Sequence, residues 1–192
     1  MTDDTRAKLL TEAEDVVRRV GYAGFSYADL AERVKIRKPS IHHHFRTKED
    51  IGAALVEAYT VRFKDSLADI VVASPRAPQR LQAYAGLYRM GLEAGQGCLC
   101  GVLASELDGL PDRVRLGVRR FFKLNSEWLE VVLAEGQATG SIRADADARS
   151  QAAAVLAGLE GAMLVGRALD SIAAFDAAAR AIIAGVTGRT SL

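Results

Sequence analysis

The fold is decided by the stretch Ser26-Tyr-Ala-Asp-Leu-Ala-Glu-Arg-Val-Lys-Ile-Arg-Lys-Pro-Ser-Ile-His-His-His-Phe-Arg-Thr-Lys-Glu-Asp50. It carries the same capping signal twice, with a hydroxyl residue three positions before an acid: Ser26 before Asp29, and Thr47 before Asp50. At this spacing the hydroxyl accepts a hydrogen bond from a first-turn N–H while the acid faces back toward the cap. The stretch therefore contains two helix starts.

Between these caps the sequence predicts two short helices joined by a turn. The first runs from the Ser26 cap to about Val34. Pro39 then suits the first turn of the next helix, where its missing N–H is not needed, and the run 40–45 makes two turns. Two short helices joined by about four residues, the second of them basic, are what a helix-turn-helix needs.

The rest of the chain shows helical periodicity and few strand signals. Apolar residues recur at helical spacing over 5–20, before Gly21, which suits a helix C-cap. After Thr47, a long amphipathic helix is predicted by apolar residues at four-residue steps: Ile51, Leu55, Tyr59, Phe63 and Leu67. A hinge is expected over 73–78, followed by helices at about 78–95, 99–108, 112–137, 147–169 and 173–186. The sequence predicts an all-α protein.

Composition excludes several classes of protein. Of the 192 residues, 26% are charged, and no apolar run approaches the length of roughly 18 residues that spans a bilayer. The first residues carry acids rather than the apolar segment of a secretory signal, so a cytoplasmic location is expected. Cys98 and Cys100 are too close in sequence for an easy disulfide and do not match a Cys-x-x-Cys site.

The net charge of +1 hides one strongly basic segment. Residues 33–48 hold six bases and no acid, whereas residues 1–32 carry a net charge of −3 and residues 49–192 a net charge of −2. All three histidines also lie in the basic segment. Such a segment predicts an anionic partner.

DNA is the partner that fits a basic helix-turn-helix, whose second helix enters the major groove while flanking groups hold phosphates. Ile36, Ile41 and Phe45 are spaced to anchor the unit on the first helix, which leaves the polar side chains for DNA. The candidate DNA-binding residues are Ser26, Tyr27, Arg37, Lys38, Pro39, Ser40, His42, His43, His44 and Lys48.

The basic segment has two alternative interpretations, a metal site and a solvated loop. Three consecutive histidines suggest a metal site, but successive helical residues point about 100° apart and cannot all face one ion. No metal and no cofactor is therefore expected. A solvated basic loop would explain the charges alone, but not the capping signals on both sides.

Residues 21–34 and 38–50 resemble the DNA-binding domain of TetR-type transcriptional repressors, and the resemblance covers about residues 5–55. It implies a homodimer whose C-terminal domain binds a small effector, which changes the separation of the two DNA-reading heads. The sequence departs from the family at Lys35, where a turn glycine is usual, and at His42, where tyrosine is favoured. A positive φ at Lys35 would cost roughly 1 kcal/mol.

The segment 97–107, followed by Leu110-Pro-Asp, is similar to the Gly-Cys-Leu motif of a subgroup of this family that responds to reactive electrophiles. The resemblance implies a sensing role for Cys98, whose thiol pKa would fall at a helix N-terminus; the alternative is a packing role. Candidate effector-binding residues are aromatic or sulfur-containing: Tyr84, Tyr88, Cys98, Phe121, Phe122, Trp128 and Met163.

The last two helices predict the dimer interface. Small residues form a seam that allows close helix approach: Ala154, Ala157, Gly158, Gly161 and Ala162. Apolar area for the partner is expected from Leu156, Leu159, Met163, Ile182, Ile183 and Val186. The alternative use of this seam is packing within one chain.

The sequence thus predicts a three-helix helix-turn-helix domain over 1–50 and a helical effector-binding and dimerisation domain over 51–192. The expected function is a homodimeric repressor that binds a palindromic operator and is released by a small effector or by thiol modification. The alternative is a small helical enzyme or ligand carrier with an anion-binding basic segment. No phosphate-cradling glycine loop or serine nucleophile elbow supports it, so no catalysis is expected.

Overall fold

The computed structural model describes residues 2–187, with side chains from Asp4 onward. Within this range the helices are α1 (Thr2–Val20), α2 (Tyr27–Val34), α3 (Lys38–His44), α4 (Lys48–Ala73), α5 (Ala77–Glu93), α6 (Leu99–Ala104), α7 (Asp112–Ala138), α8 (Ala148–Ala168) and α9 (Ile172–Val186). The only β pairing described is an isolated bridge between Ile142 and Thr187. The all-α prediction is confirmed.

The predicted helix over 99–108 is the one substantial difference. Helix α6 ends at Ala104, and a separate 3-10 turn covers Leu107–Gly109. Ser105 uses its hydroxyl to donate to the Val102 carbonyl. This local bond competes with continuation of the helix, which is why serine favours helix ends.

The chain forms two compact units, each of them discontinuous in sequence. Unit 1 contains residues 2–62 and 99–121, and unit 2 contains residues 63–98 and 122–187. Helices α4 and α7 therefore contribute their first part to unit 1 and their second part to unit 2. The functional boundary expected at residue 50 stays a prediction.

Unit 1 is built around the capped helices that the sequence predicts. Ser26 caps α2 in a complete capping box with Asp29, and Gly21 ends α1 at a φ of +83°. Thr47 and Asp50 exchange the same bonds at the start of α4, at 3.1 and 3.0 Å. Its core is apolar and includes Leu9, Val17, Leu30, Ile41, Phe45, Ile51 and Leu55.

Unit 2 packs α5 against the pair α8 and α9. Helices α8 and α9 approach closely at Gly158, where a Cβ would lie 2.9 Å from Ile182 Cδ1. Arg89 of α5 donates to Asp176 of α9 at 3.0 Å. Gly158 is therefore used for packing inside the chain, which is the alternative considered for the small-residue seam.

Candidate nucleic-acid interface and effector site

The second helix of the helix-turn-helix presents the predicted polar face. Arg37, which precedes α3, and Lys38, Pro39, Ser40, His42 and His43 are all exposed, and His44 is half-buried. Ile41 is fully buried beneath them, and Phe45 is buried at the end of the helix. Within the described residues, neither Arg37 nor Lys38 makes an ion pair, so both charges are available to an anion.

Ser26 and Tyr27 also have roles inside the fold: Ser26 caps α2, and Tyr27 forms hydrogen bonds to backbone carbonyls. The Tyr27 hydroxyl lies 2.6 Å from the Thr47 carbonyl oxygen and 3.0 Å from that of Phe45, and it donates to this pair. Burial, and secondarily the charge of Asp50, raises the pKa of Tyr27 to about 12, so the donor stays protonated. Tyr27 therefore ties the start of α2 to the turn before α4.

Lys48 occupies an unusual place for a phosphate-binding lysine. Its Nζ lies 4.6 Å from the ring centroid of Tyr22 and 5.4 Å from that of Phe25. Burial lowers the pKa of Lys48, while the negative charges of Glu106 and Asp29 oppose that shift. An ammonium over aromatic faces is stabilised by the ring quadrupole. Contact between Lys48 and DNA stays a prediction.

Lys35 adopts the left-handed conformation at the position where the family it resembles usually has a turn glycine. Its φ is +57°, and its N–H and that of Ile36 donate to the carbonyls of Glu32 and Ala31, at 3.3 and 3.0 Å. This pair of bonds is a Schellman motif, which normally uses glycine. The positive charge of Lys35 thereby stays exposed beside α3.

A buried polar cluster joins the predicted aromatic residues of unit 2. Tyr84 lies 3.1 Å from Tyr88, hydroxyl to hydroxyl, and donates to Asn125 Oδ1 at 2.9 Å. The Tyr88 hydroxyl lies 3.3 Å from Glu160 Oε1. Trp128 stacks on Tyr84 with ring centroids 5.4 Å apart. We call Tyr84, Tyr88, Asn125 and Glu160 the polar relay.

Glu160 is the hydrogen-bond acceptor at one end of the polar relay. Three oxygen–oxygen contacts link its four side chains, and either hydroxyl can be the donor between Tyr84 and Tyr88. Tyr84 donates to Asn125, and Tyr88 donates to Glu160. Burial raises the pKa of Glu160, whereas hydrogen bonds from Cys98 and Tyr88 lower it. Burial is the largest of these effects, so the pKa of Glu160 lies above its ordinary value.

The remaining effector candidates divide between the two units. Cys98 is 4% exposed, its N–H lies 3.2 Å from Met163 Sδ, and its thiol bonds to Glu160, so these residues adjoin the polar relay. Neither cysteine forms a disulfide. Phe121 instead belongs to unit 1, where its ring lies 5.4 Å from that of Tyr59. Phe122 is half-buried in unit 2.

Sequence reasoning missed Asn125 and Glu160. Both are polar residues on otherwise buried helical stripes, Asn125 between Phe121 and Leu129, and Glu160 between Leu156 and Met163. A polar residue in such a place must find a partner, since burial without a hydrogen bond costs free energy. The interruption of the apolar period was therefore the available signal.

The exposed face of α8 and α9 differs from the one expected. Leu156, Leu159, Met163 and Ile183 are buried within the chain, because they pack against its own helices, and Ile182 and Val186 are half-buried. The exposed face of α8 is made of small and apolar residues: Ala153, Ala154, Ala157, Gly161, Leu164, Val165 and Ala168. On α9 it continues with Ala173, Ala177, Ala181 and Ala184. We call these residues the α8–α9 face.

The described part of the chain offers neither a metal site nor a membrane span. No group of three or more His, Cys, Asp or Glu residues there could hold a metal ion. None of the described helices combines the length and the apolar character needed to cross a bilayer.

An all-α chain with an exposed basic helix-turn-helix at one end of its sequence is a DNA-binding regulator by architecture. Its residues 9–55 match the family model for bacterial regulatory proteins of the tetR family, and residues 77–182 match the tetracyclin repressor-like C-terminal domain. The chain belongs to the TetR family.

Relatives and solved structures agree with this assignment. The transcriptional regulator AcuR of Cereibacter sphaeroides is 32% identical over 75% of this chain and 68% of its own. The HTH-type transcriptional repressor DhaR of Mycobacterium sp. strain GP1 is 30% identical over 83% of this chain and 80% of its own. A TetR-family regulator from Agrobacterium tumefaciens has a crystal structure that superposes with a TM-score of 0.95, at 34% identity, over 98% of this chain and 100% of its own.

Proposed function

We propose that the chain is a homodimeric transcriptional repressor that binds a palindromic operator and leaves it when a small effector binds. The observation that carries the proposal is the α3 face, where exposed cations and hydrogen-bonding side chains cover a buried apolar anchor, Ile41. The relatives named above are regulators, which favours this function over a small enzyme or carrier. Because DNA is its partner, we expect the protein in the cytoplasm.

The DNA-binding residues divide by role. Arg37, Lys38 and Ser40 stand at the start of α3, where they would hold phosphates and fix the register on the duplex. His42 and His43 follow on the helix, where they would meet base edges in the major groove. We assign supporting contacts with the DNA backbone to the remaining candidates, which border this face: Ser26, Tyr27, Pro39, His44 and Lys48.

The effector would bind at the polar relay. A ligand pocket combines apolar and aromatic walls with a few placed polar groups, and Trp128, Met163 and the relay supply these in unit 2. The α8–α9 face would hold the second copy, because large exposed apolar patches mark interaction sites. A dimer places two reading helices on one palindrome.

The direct test uses the full chain to enrich duplexes from a random-sequence library and then measures affinity for the enriched sequence at several salt concentrations. The proposal predicts a palindrome, saturable binding and a steep fall of affinity with salt, because phosphate contacts release counterions. Enrichment of no sequence, with only weak binding to all DNA, would instead support the carrier or enzyme.

Thiol modification is a second candidate route of release, favoured by the contact between Cys98 and Glu160. A carboxylate beside a thiol can take its proton while the sulfur attacks an electron-poor carbon. With N-ethylmaleimide as the probe, operator release should disappear in Cys98→Ser and persist in Cys100→Ser. Mass-spectrometric modification of Cys98 with operator binding intact would leave release to a reversible effector.

A further inference from the structure

A carboxylate from a distant part of the sequence grips the turn that precedes the helix-turn-helix. Glu106 Oε1 accepts from the Tyr22 N–H at 3.0 Å, and Oε2 accepts from the Ala23 N–H at 2.8 Å. Both partners follow α1 directly, whereas Glu106 lies between α6 and the 3-10 turn of the same unit. We call these two bonds the Glu106 clamp.

The backbone is shaped to admit this carboxylate. A Cβ at Gly21 would lie 1.9 Å from Glu106 Oε1, and Gly21 also has a φ of +83°. The positive φ favours glycine at this position, and a Cβ there would displace the Glu106 carboxylate. Gly21 thus leaves the space that the Glu106 carboxylate occupies in the Glu106 clamp.

The Glu106 clamp adjoins Lys48, the candidate DNA-binding residue at the start of α4. The Tyr22 side chain, whose N–H is held by Glu106, carries the Lys48 ammonium on its ring at 4.6 Å. The negative charge of Glu106 also favours the charged form of Lys48. Tyr22, Ala23, Lys48 and Glu106 line one cavity of about 490 Å³.

We propose that Glu106 is a positioning residue for operator binding, which acts by fixing the turn at 21–23, from which the chain continues into α2 and the proposed reading helix α3. Glu106 does not touch DNA in this role. Bonds from two backbone N–H groups to one carboxylate are charge-assisted and stronger than neutral ones, so the turn keeps a single geometry. The inference rests on the proposed operator binding.

The test compares Glu106→Gln with Asp108→Asn, an exposed acid in the same cavity lining. Each change removes one negative charge, so general repulsion of DNA falls equally in both. Glutamine can accept one of the two N–H bonds but presents an amide nitrogen to the other, which opens the clamp. The probe is the palindromic duplex enriched by the unmodified chain, measured beside a random duplex of the same length.

The proposal predicts that Glu106→Gln lowers the affinity for the palindrome about tenfold while the affinity for random DNA stays within about twofold. Asp108→Asn should lower neither affinity. In ¹⁵N spectra the amide protons of Tyr22 and Ala23 should shift upfield and exchange faster in Glu106→Gln alone. Palindrome affinity equal to that of the unmodified chain, or an equal loss on both duplexes, would overturn the proposal.

A second variant and the unmodified chain distinguish a folding defect from a loss of operator binding. If Glu106→Gln fails to fold, Glu106→Asp, which keeps the charge but shortens the reach, serves in its place with the same expected split. If the unmodified chain prefers no duplex, the proposed function itself fails. If the unmodified chain prefers the palindrome and Glu106→Gln shows the same preference, only the inference about Glu106 fails.

Discussion

Gly161→Leu tests which surface joins the two copies. Gly161 is exposed on the α8–α9 face, and a Cβ there would meet no atom within 4 Å. Leucine is a better helix former than glycine, so the folded chain should gain about 0.5–1 kcal/mol. In a close dimer, the same side chain would push the partner helix away. The variant should therefore be a well-folded monomer.

The free energy that this surface contributes to dimerisation can be estimated from two exposed neighbours of Gly161, one helical turn further along α8. Leu164 is 68% exposed and Val165 is 53% exposed. Full burial of such a side chain contributes about 1.5–3 kcal/mol. Scaled by the exposed fractions and counted in both copies, these two residues would contribute roughly 4–7 kcal/mol to association. Losing close contact there is enough to separate a dimer at micromolar concentration.

Two control variants make the result specific. Gly158→Leu is directed against Ile182 in the same chain, so it should lower the free energy of unfolding by about 1–3 kcal/mol through overpacking. Gly86→Leu places the same side chain in open space on α5, outside the α8–α9 face, and should leave the dimer intact. Sedimentation velocity gives the mass, circular dichroism the helix content, and a titration the palindrome affinity. A Gly161→Leu dimer with full affinity would refute the reasoning.

Three further predictions concern single side chains. Lys48→Ala should weaken binding to all DNA sequences alike and reduce the slope of log affinity against log salt by about one, and an unchanged slope would mean that the ammonium stays on the Tyr22 ring. His43→Ala should relax sequence preference, with a loss of roughly 1–3 kcal/mol of discrimination per base contact; an equal loss on every sequence would assign His43 to the backbone. Glu160→Gln should change the pH dependence of stability: burial raises the Glu160 pKa on folding, so its contribution is fully present below the unfolded value of about 4.3 and is lost as pH rises through the folded pKa. The unfolding free energy of the unmodified chain should therefore fall relative to Glu160→Gln as pH rises, and parallel pH profiles of chemical denaturation would contradict the raised pKa of Glu160.

Local signals carried the prediction of the DNA-binding region. Each capping box lies within four residues, so Ser26 with Asp29 and Thr47 with Asp50 could be assigned from spacing alone, and the structure confirms both. The positive φ at Lys35 was raised by the resemblance to a family in which a turn glycine is usual there, and the structure has it. In such places local preference and the global fold agree.

Contacts between distant segments could not be predicted in the same way. Glu106 and Tyr22 are 84 positions apart, and nothing in either local sequence signals the pairing. Helical periodicity placed small residues on α8 but did not show which side faces α9, so Gly158 and Gly161 were assigned to one seam although they have different neighbours. Packing of one helix on another decides such questions, and a single helix does not contain them.

The most direct test of the account is to measure binding of the full chain to its enriched palindrome after about 5 base pairs are inserted between the half-sites. The account holds that two copies present their α3 faces to successive major grooves, about 34 Å apart on one side of the duplex. Half a helical turn moves one half-site to the opposite side, so affinity should fall to that for a single half-site, and an insertion of about 10 base pairs should place both half-sites on one side again. Equal affinity for the original palindrome and the 5-base-pair insertion would contradict the account.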